Sequence, residues 1–187
     1  MTLSTAATVL IVPGLRDHVA EHWQTLLMPK LERVASVAPL TEHKLSCAAR
    51  IAALDAAITA IGGPVILVAH SAGTLMVAHW ARHYQRPIKG ALLAAPPDFE
   101  TPLPAGYPTP AQLAEHGWLP TPRQRLPFRT LVGASRNDPL AAYERVVDLA
   151  RDWGAELADL GEVGHLNPAS GYGDWSAALD FIRELDA

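Results

Sequence analysis

Three residues whose types can cooperate in acyl transfer each stand just after a strand-length apolar run. Ser71 sits in Ala69-His70-Ser71-Ala72-Gly73, directly after Pro64-Val65-Ile66-Leu67-Val68. Asp138 sits in Ser135-Arg136-Asn137-Asp138-Pro139, after the run that ends at Ala134. His165 closes Gly161-Glu162-Val163-Gly164-His165, after a last short run. A serine hydroxyl is a weak nucleophile at neutral pH and needs a base within hydrogen-bond reach. An imidazole can take that proton and return it to a leaving group. A carboxylate behind the imidazole sets its tautomer and stabilises the cation that forms. The negative oxygen of a tetrahedral intermediate requires preorganised donors. The backbone N–H of Ala72, at a helix start where the dipole favours negative charge, is one candidate. The N–H of Leu15, in the Pro13-Gly14-Leu15 loop after the first run, is the other, with Gly14 leaving room for a substrate carbonyl.

Each residue taken singly also has a plainer reading. Ser71 could cap the helix of an ordinary βα-turn, and Asp138 before Pro139 could start a turn and cap the next helix. Asp98, after the run Gly90 to Ala95, is a second acid at a strand end and is held as the alternative third member. Of the eight histidines, His18, His22, His43, His79, His83 and His116 fall in helical or loop settings, and His70 packs or points away from the nucleophile. No His-Glu-x-x-His pattern occurs. The single Cys47 excludes an internal disulfide and a thiolate-rich metal site. No metal and no cofactor are expected.

The elements that must position these residues alternate between strand-like and helical patterns, which predicts βαβ units and a mostly parallel sheet. Strands are expected at Thr8–Val12, Val34–Leu40 (a weaker edge), Val65–Ala69, Gly90–Ala95, Arg129–Ala134 and Glu156–Leu160. Helices are expected from Glu21 toward Arg33, over Ala48–Ile61, Ala72–Gln85 and Ala141–Trp153, and from about Asp174 to Leu185, with apolar residues at three- and four-residue steps. Pro96 to Pro127 holds nine prolines. It is therefore expected to form a loop with one short helix near Ala111–Glu115, and to roof the pocket. In such a sheet ligands bind beyond the carboxyl ends of the strands, where all three residues fall. Small residues around Ser71 suit a sharp strand-to-helix turn, although Ala69 replaces the usual first glycine. The chain order Ser, Asp, His is that of α/β-hydrolases.

Composition bounds the remaining possibilities. The chain has 187 residues, 49% of them apolar and 18% charged, which suits one globular domain spanning 1–187. A net charge of −4 with no basic cluster gives no footprint for nucleic acid or an anionic membrane. No apolar run approaches the length of a spanning helix, and the start lacks the features of a signal peptide. A cytoplasmic protein is expected, as a monomer or weak homodimer. Twelve arginines against three lysines, with abundant alanine, hint at a GC-rich bacterial genome.

Several segments together resemble the retinoblastoma-binding-protein-9/YdeN-like family of small serine hydrolases. They are Val12-Pro13-Gly14-Leu15 with His22-Trp23-Gln24, Val68 to Gly73, Ala94-Ala95-Pro96, Ala134 to Pro139, and Gly164-His165-Leu166-Asn167-Pro168-Ala169-Ser170-Gly171-Tyr172-Gly173-Asp174-Trp175. The resemblance covers nearly the whole chain. It implies an α/β-hydrolase fold of about six mostly parallel strands, with helices on both faces and no separate cap domain. It also implies a triad of Ser71, Asp138 and His165 acting on a small ester or amide. Retinoblastoma binding is not carried over, because Leu45-Ser46-Cys47-Ala48-Ala49 has alanine where the binding stretch needs glutamate. Gly14, Trp23, Asp98 and Trp118 are the candidate substrate contacts, with Phe99 and Tyr107 as further wall residues. The competing functions are a non-catalytic binding module on the same scaffold, and a thioesterase or acyltransferase using the same residues.

Overall fold

The computed structural model describes residues 2–187. Six strands form one sheet in the order β2-β1-β3-β4-β5-β6, every neighbouring pair parallel. They are β1 (Thr8–Val12), β2 (Val34–Ser36), β3 (Val65–His70), β4 (Gly90–Ala94), β5 (Thr130–Ala134) and β6 (Glu156–Asp159). The helices are α1 (Trp23–Leu27), α2 (Cys47–Thr59), α3 (Ala72–His83), α4 (Pro110–Glu115), α5 (Tyr143–Trp153) and α6 (Ala178–Asp186). Among the described residues no helix is long and apolar enough to cross a membrane.

Strand periodicity sends alternate residues to opposite faces, and the core divides accordingly. Leu10, Val12, Val65, Leu67 and Ala69 pack with α2, α3 and α5. Val9, Ile11, Ile66 and Val68 pack with α1 and α6. Cys47 is a buried packing residue on the first face, its thiol pushed up to about 12 by burial. β3 is buried along its whole length. That is why it reads as an unbroken apolar run rather than an alternating one.

Two helices are shorter than their sequence patterns. The helix expected from Glu21 toward Arg33 is α1 alone, followed by a 3-10 turn at Met28–Lys30 that contains Pro29. Pro29 has no N–H to continue an α-helical ladder. At the other end α6 begins at Ala178 instead of near Asp174, because Trp175 closes a turn onto the Ala178 N–H while Asp174 is paired with Lys30. β2 ends at Ser36 rather than Leu40, after its last rung beside Ile11. The proline-rich segment holds one short helix, α4, capped by Thr109 through a reciprocal pair of bonds with Gln112.

Candidate active site

The turn from β3 into α3 sets the geometry. Ser71 has φ 54° and ψ −130°, a left-handed conformation unusual for a residue with a side chain. The turn is held from below. A Cβ on Gly73 would lie 2.4 Å from the Val12 carbonyl oxygen and 2.8 Å from that of Pro13, so only glycine lets α3 approach β1 this closely. A Cβ on Gly14 would lie 3.1 Å from the Ser71 Cβ, so the first loop closes directly over the serine. Ala69, where a glycine is more usual, is fully buried in β3 and its methyl group is accommodated in the core.

Three strand ends bring their side chains together. The His165 Nε2 lies 2.8 Å from the Ser71 Oγ, and its Nδ1 lies 2.8 Å from Oδ2 of Asp138. The carboxylate can only accept, so Nδ1 carries the proton and a neutral His165 offers its Nε2 lone pair to the serine hydroxyl. The side chains of His165 and Asp138 are 4% and 2% exposed. The other Asp138 oxygen accepts from the Leu140 N–H at 2.8 Å. Asn137 Oδ1 accepts from the Gly164 N–H at 2.7 Å and the Ser170 hydroxyl from the His165 N–H at 3.0 Å, which ties the histidine loop to the aspartate loop.

A second chain of imidazoles supports the first. The Gln24 N–H donates to His22 Nδ1 at 3.2 Å, so the proton of a neutral His22 is on Nε2. That Nε2–H points at His70 Nδ1, 3.2 Å away, and His70 Nε2–H donates to the His165 carbonyl at 2.8 Å. Each link fixes the next tautomer, and the chain runs one way, from the start of α1 to the backbone of the histidine loop. Burial, with the nearby His165, pushes His22 down to about 4 and His70 well below the ordinary histidine range. Both are therefore neutral at pH 7. Nothing local in the sequence joins these two histidines, 48 positions apart.

Arg50 is a further residue of the site that the sequence pattern does not single out. It is 3% exposed, on the inner face of α2. Its guanidinium donates to the carbonyls of Gly14 at 3.4 Å, Leu15 at 3.1 Å and Lys44 at 2.6 Å, and to the Asp17 carboxylate at 3.2 Å. It therefore anchors the loop that carries the Leu15 N–H. Leu15 N–H has no acceptor among the described residues. Ala72 is the first residue of α3, a position whose N–H has no intrahelical partner.

A cavity of about 410 Å³ opens over Ser71 and is mainly apolar. Gly14, Leu15, Ala72 and His165 line it together with His22 and, from the proline-rich segment, Phe99 and Tyr107. Three expected substrate contacts are elsewhere. Trp23 is 1% exposed and packs edge-on to Trp175, on the α1/α6 face of the sheet. Trp118 is fully buried, donates to the Leu45 carbonyl at 2.7 Å and packs edge-on to Phe99. Asp98 does not line the cavity over Ser71 and is paired at 2.8 Å with Arg145. It is neither a wall residue nor the partner of His165. Among the described residues no cluster of potential metal ligands occurs.

A family model described as serine hydrolase matches residues 9–184. The chain belongs to the serine hydrolase family. Within that family it is a YdeN-like small hydrolase of the α/β-hydrolase superfamily, with no separate cap. It is similar to a putative YdeN-like hydrolase from Pectobacterium atrosepticum, with 29% identity over 96% of this chain and 90% of that one, and a TM-score of 0.81. It has the fold of the ydeN gene product from B. subtilis, at 21% identity over 96% and 98% of the two chains and a TM-score of 0.74. A thermophilic esterase from Thermogutta terrifontis shares the fold at 16% identity over 98% and 92% of the chains, with a TM-score of 0.65. No curated protein matches significantly.

Proposed function

We propose that this serine hydrolase cleaves a small ester or amide through an acyl-enzyme on Ser71. The observation that carries this reading is the unbroken chain Asp138–His165–Ser71 at the floor of the cavity, with both links at 2.8 Å. As the Ser71 Oγ attacks the substrate carbonyl carbon, its proton passes to His165 Nε2. Asp138 holds the imidazolium by its Nδ1–H. The carbonyl oxygen becomes an oxyanion, facing the N–H groups of Leu15 and Ala72. Collapse of the intermediate breaks the bond to the alcohol or amine, which leaves with the proton from His165. Water then repeats the sequence. His165 takes its proton, the acid is released and Ser71 recovers its hydrogen.

Support for the oxyanion role comes from the buried Arg50. It holds the backbone carbonyls of Gly14 and Leu15 and so fixes the donor before substrate arrives. Preorganised donors of this kind are worth about 10²- to 10³-fold each in rate. Hydrolysis of p-nitrophenyl acetate above the uncatalysed blank tests the reading. Wild type is expected to turn over, and Ser71→Ala to return to the blank. Equal turnover by both proteins would place the catalysis away from Ser71, and none by either would favour a binding module on this scaffold.

A further inference from the structure

The cavity over Ser71 carries two cations that have no counter-charge among the described residues. Arg16 and Lys44 both line it. Pairing is the rule elsewhere in this chain. Lys30 and Lys89 are in ion pairs with Asp174 and Asp186. Nine of the twelve arginines bond to a protein oxygen, from Arg33 and Arg50 to Arg151 and Arg183. Among the described residues, Lys44 is the only lysine with no carboxylate partner. Among the same residues Arg16 has neither a carboxylate nor a carbonyl acceptor, leaving its fork of N–H donors open.

The other ionisable groups on the wall do not offset them. Asp17 is engaged by the buried Arg50. His22 and His70 are neutral links in the imidazole chain, and His165 is committed to Asp138. The net charge of the chain is −4, so these two cations do not reflect a generally basic surface. Nor is Arg16 placed loosely. Its guanidinium carbon lies 5.3 Å from the centre of the Tyr107 ring, a cation–π distance. It thus spans from the loop after β1 to the proline-rich segment, one residue beyond the Leu15 N–H. The wall between is apolar, with Leu15, Val19, Leu45, Phe99 and Leu140.

From this arrangement we infer that the preferred substrate is an ester or amide bearing a second, anionic group, a carboxylate, which Arg16 and Lys44 bind while the apolar wall takes the linking chain. The inference rests on the proposed hydrolase reading and names the substrate class for that same site. A guanidinium fork matches a carboxylate in shape as well as charge.

The test uses two matched pairs of substrates. On the acyl side, mono-4-nitrophenyl adipate is compared with 4-nitrophenyl hexanoate. On the leaving-group side, 4-carboxyphenyl hexanoate is compared with 4-carbamoylphenyl hexanoate. In at least one pair kcat/KM is expected to favour the anion by about tenfold, the scale of one charge-assisted contact. That ratio should shrink as salt is raised and approach one in the double variant Arg16→Gln/Lys44→Gln. Ratios near one in both wild-type pairs, or a preference that the double variant retains, would overturn it. Binding of the same esters to Ser71→Ala by calorimetry separates the two levels. Equal affinity for anion and neutral partner sinks the substrate class, whereas Ser71-independent turnover sinks the hydrolase reading instead.

Discussion

Asp98 and Asp138 follow neighbouring strands of one sheet, at the same end, yet they meet different partners. Asp138 is enclosed between the Leu140 N–H and the His165 ring. Asp98 is also largely shielded, its side chain 8% exposed, but it faces Arg145, which also holds Glu100. A carboxylate facing an imidazole can stabilise a charge that comes and goes during turnover. One facing a permanent guanidinium only links two loops. Position at a strand end is therefore necessary but does not select the acid. The partner across the gap does.

Breaking each carboxylate separately should expose this difference. Asp138→Asn keeps the shape but presents an amide where His165 needs an acceptor, which favours the wrong tautomer. The expected loss in kcat is on the order of 10³- to 10⁴-fold, measured on p-nitrophenyl esters, with circular dichroism unchanged. Arg50→Gln should come next. Releasing the Leu15 loop is expected to lower kcat by about 10- to 100-fold, with KM changed less, because small displacements of a donor are costly in the transition state. An equal effect on KM alone would assign Arg50 to substrate binding instead. Asp98→Asn should do least. Catalysis is expected within about threefold of wild type, and stability to fall by about 1 kcal/mol or less, because Arg145 is 40% exposed and its ion pair is screened by water. Denaturant unfolding and steady-state kinetics measure both.

The imidazole chain gives a pH test of the same contrast between groups that titrate in turnover and groups that must not. His22 is held at about 4 and His70 is also depressed, while an unfolded histidine titrates near 6.5. Between those values the unfolded chain binds more protons than the folded one, so stability rises with pH through that window and falls as pH drops below about 6.5. Tm is expected to fall by roughly 5 °C from pH 7 to pH 5. In His22→Gln that slope should be shallower. A Tm that is flat across the window would show that these rings accept protons freely.

Much of the site was legible because it is written locally. An apolar run, small residues around Ser71 and a helical pattern behind it give the turn, and chain order then offers Asp138 and His165. Apart from the edge strand β2, which stops at Ser36, the expected strands and the nucleophile turn match the observed elements closely for the same reason, since strand burial and helix periodicity are short-range patterns. What was hidden depends on distant partners. Trp23 and Trp118 lie close in sequence to loops near the cavity, but each ring turns into a core layer. Whether an aromatic lines a cavity or fills a core is decided by facing elements. Arg50 interrupts the apolar stripe of α2 as an apparently misplaced charge, and only the carbonyls of residues 14, 15 and 44 give it a role. A buried arginine at core spacing was the one available signal, since such a charge requires partners. His22 and His70 each lie in a segment that carries the resemblance, but nothing local shows that their rings meet.

The most direct test of the central claim is labelling with a fluorophosphonate followed by peptide mapping. A nucleophile activated as described carries one phosphonyl group on Ser71, and labelling is abolished in Ser71→Ala and strongly slowed in His165→Ala. A label on any other residue, or equal labelling of wild type and Ser71→Ala, would contradict it.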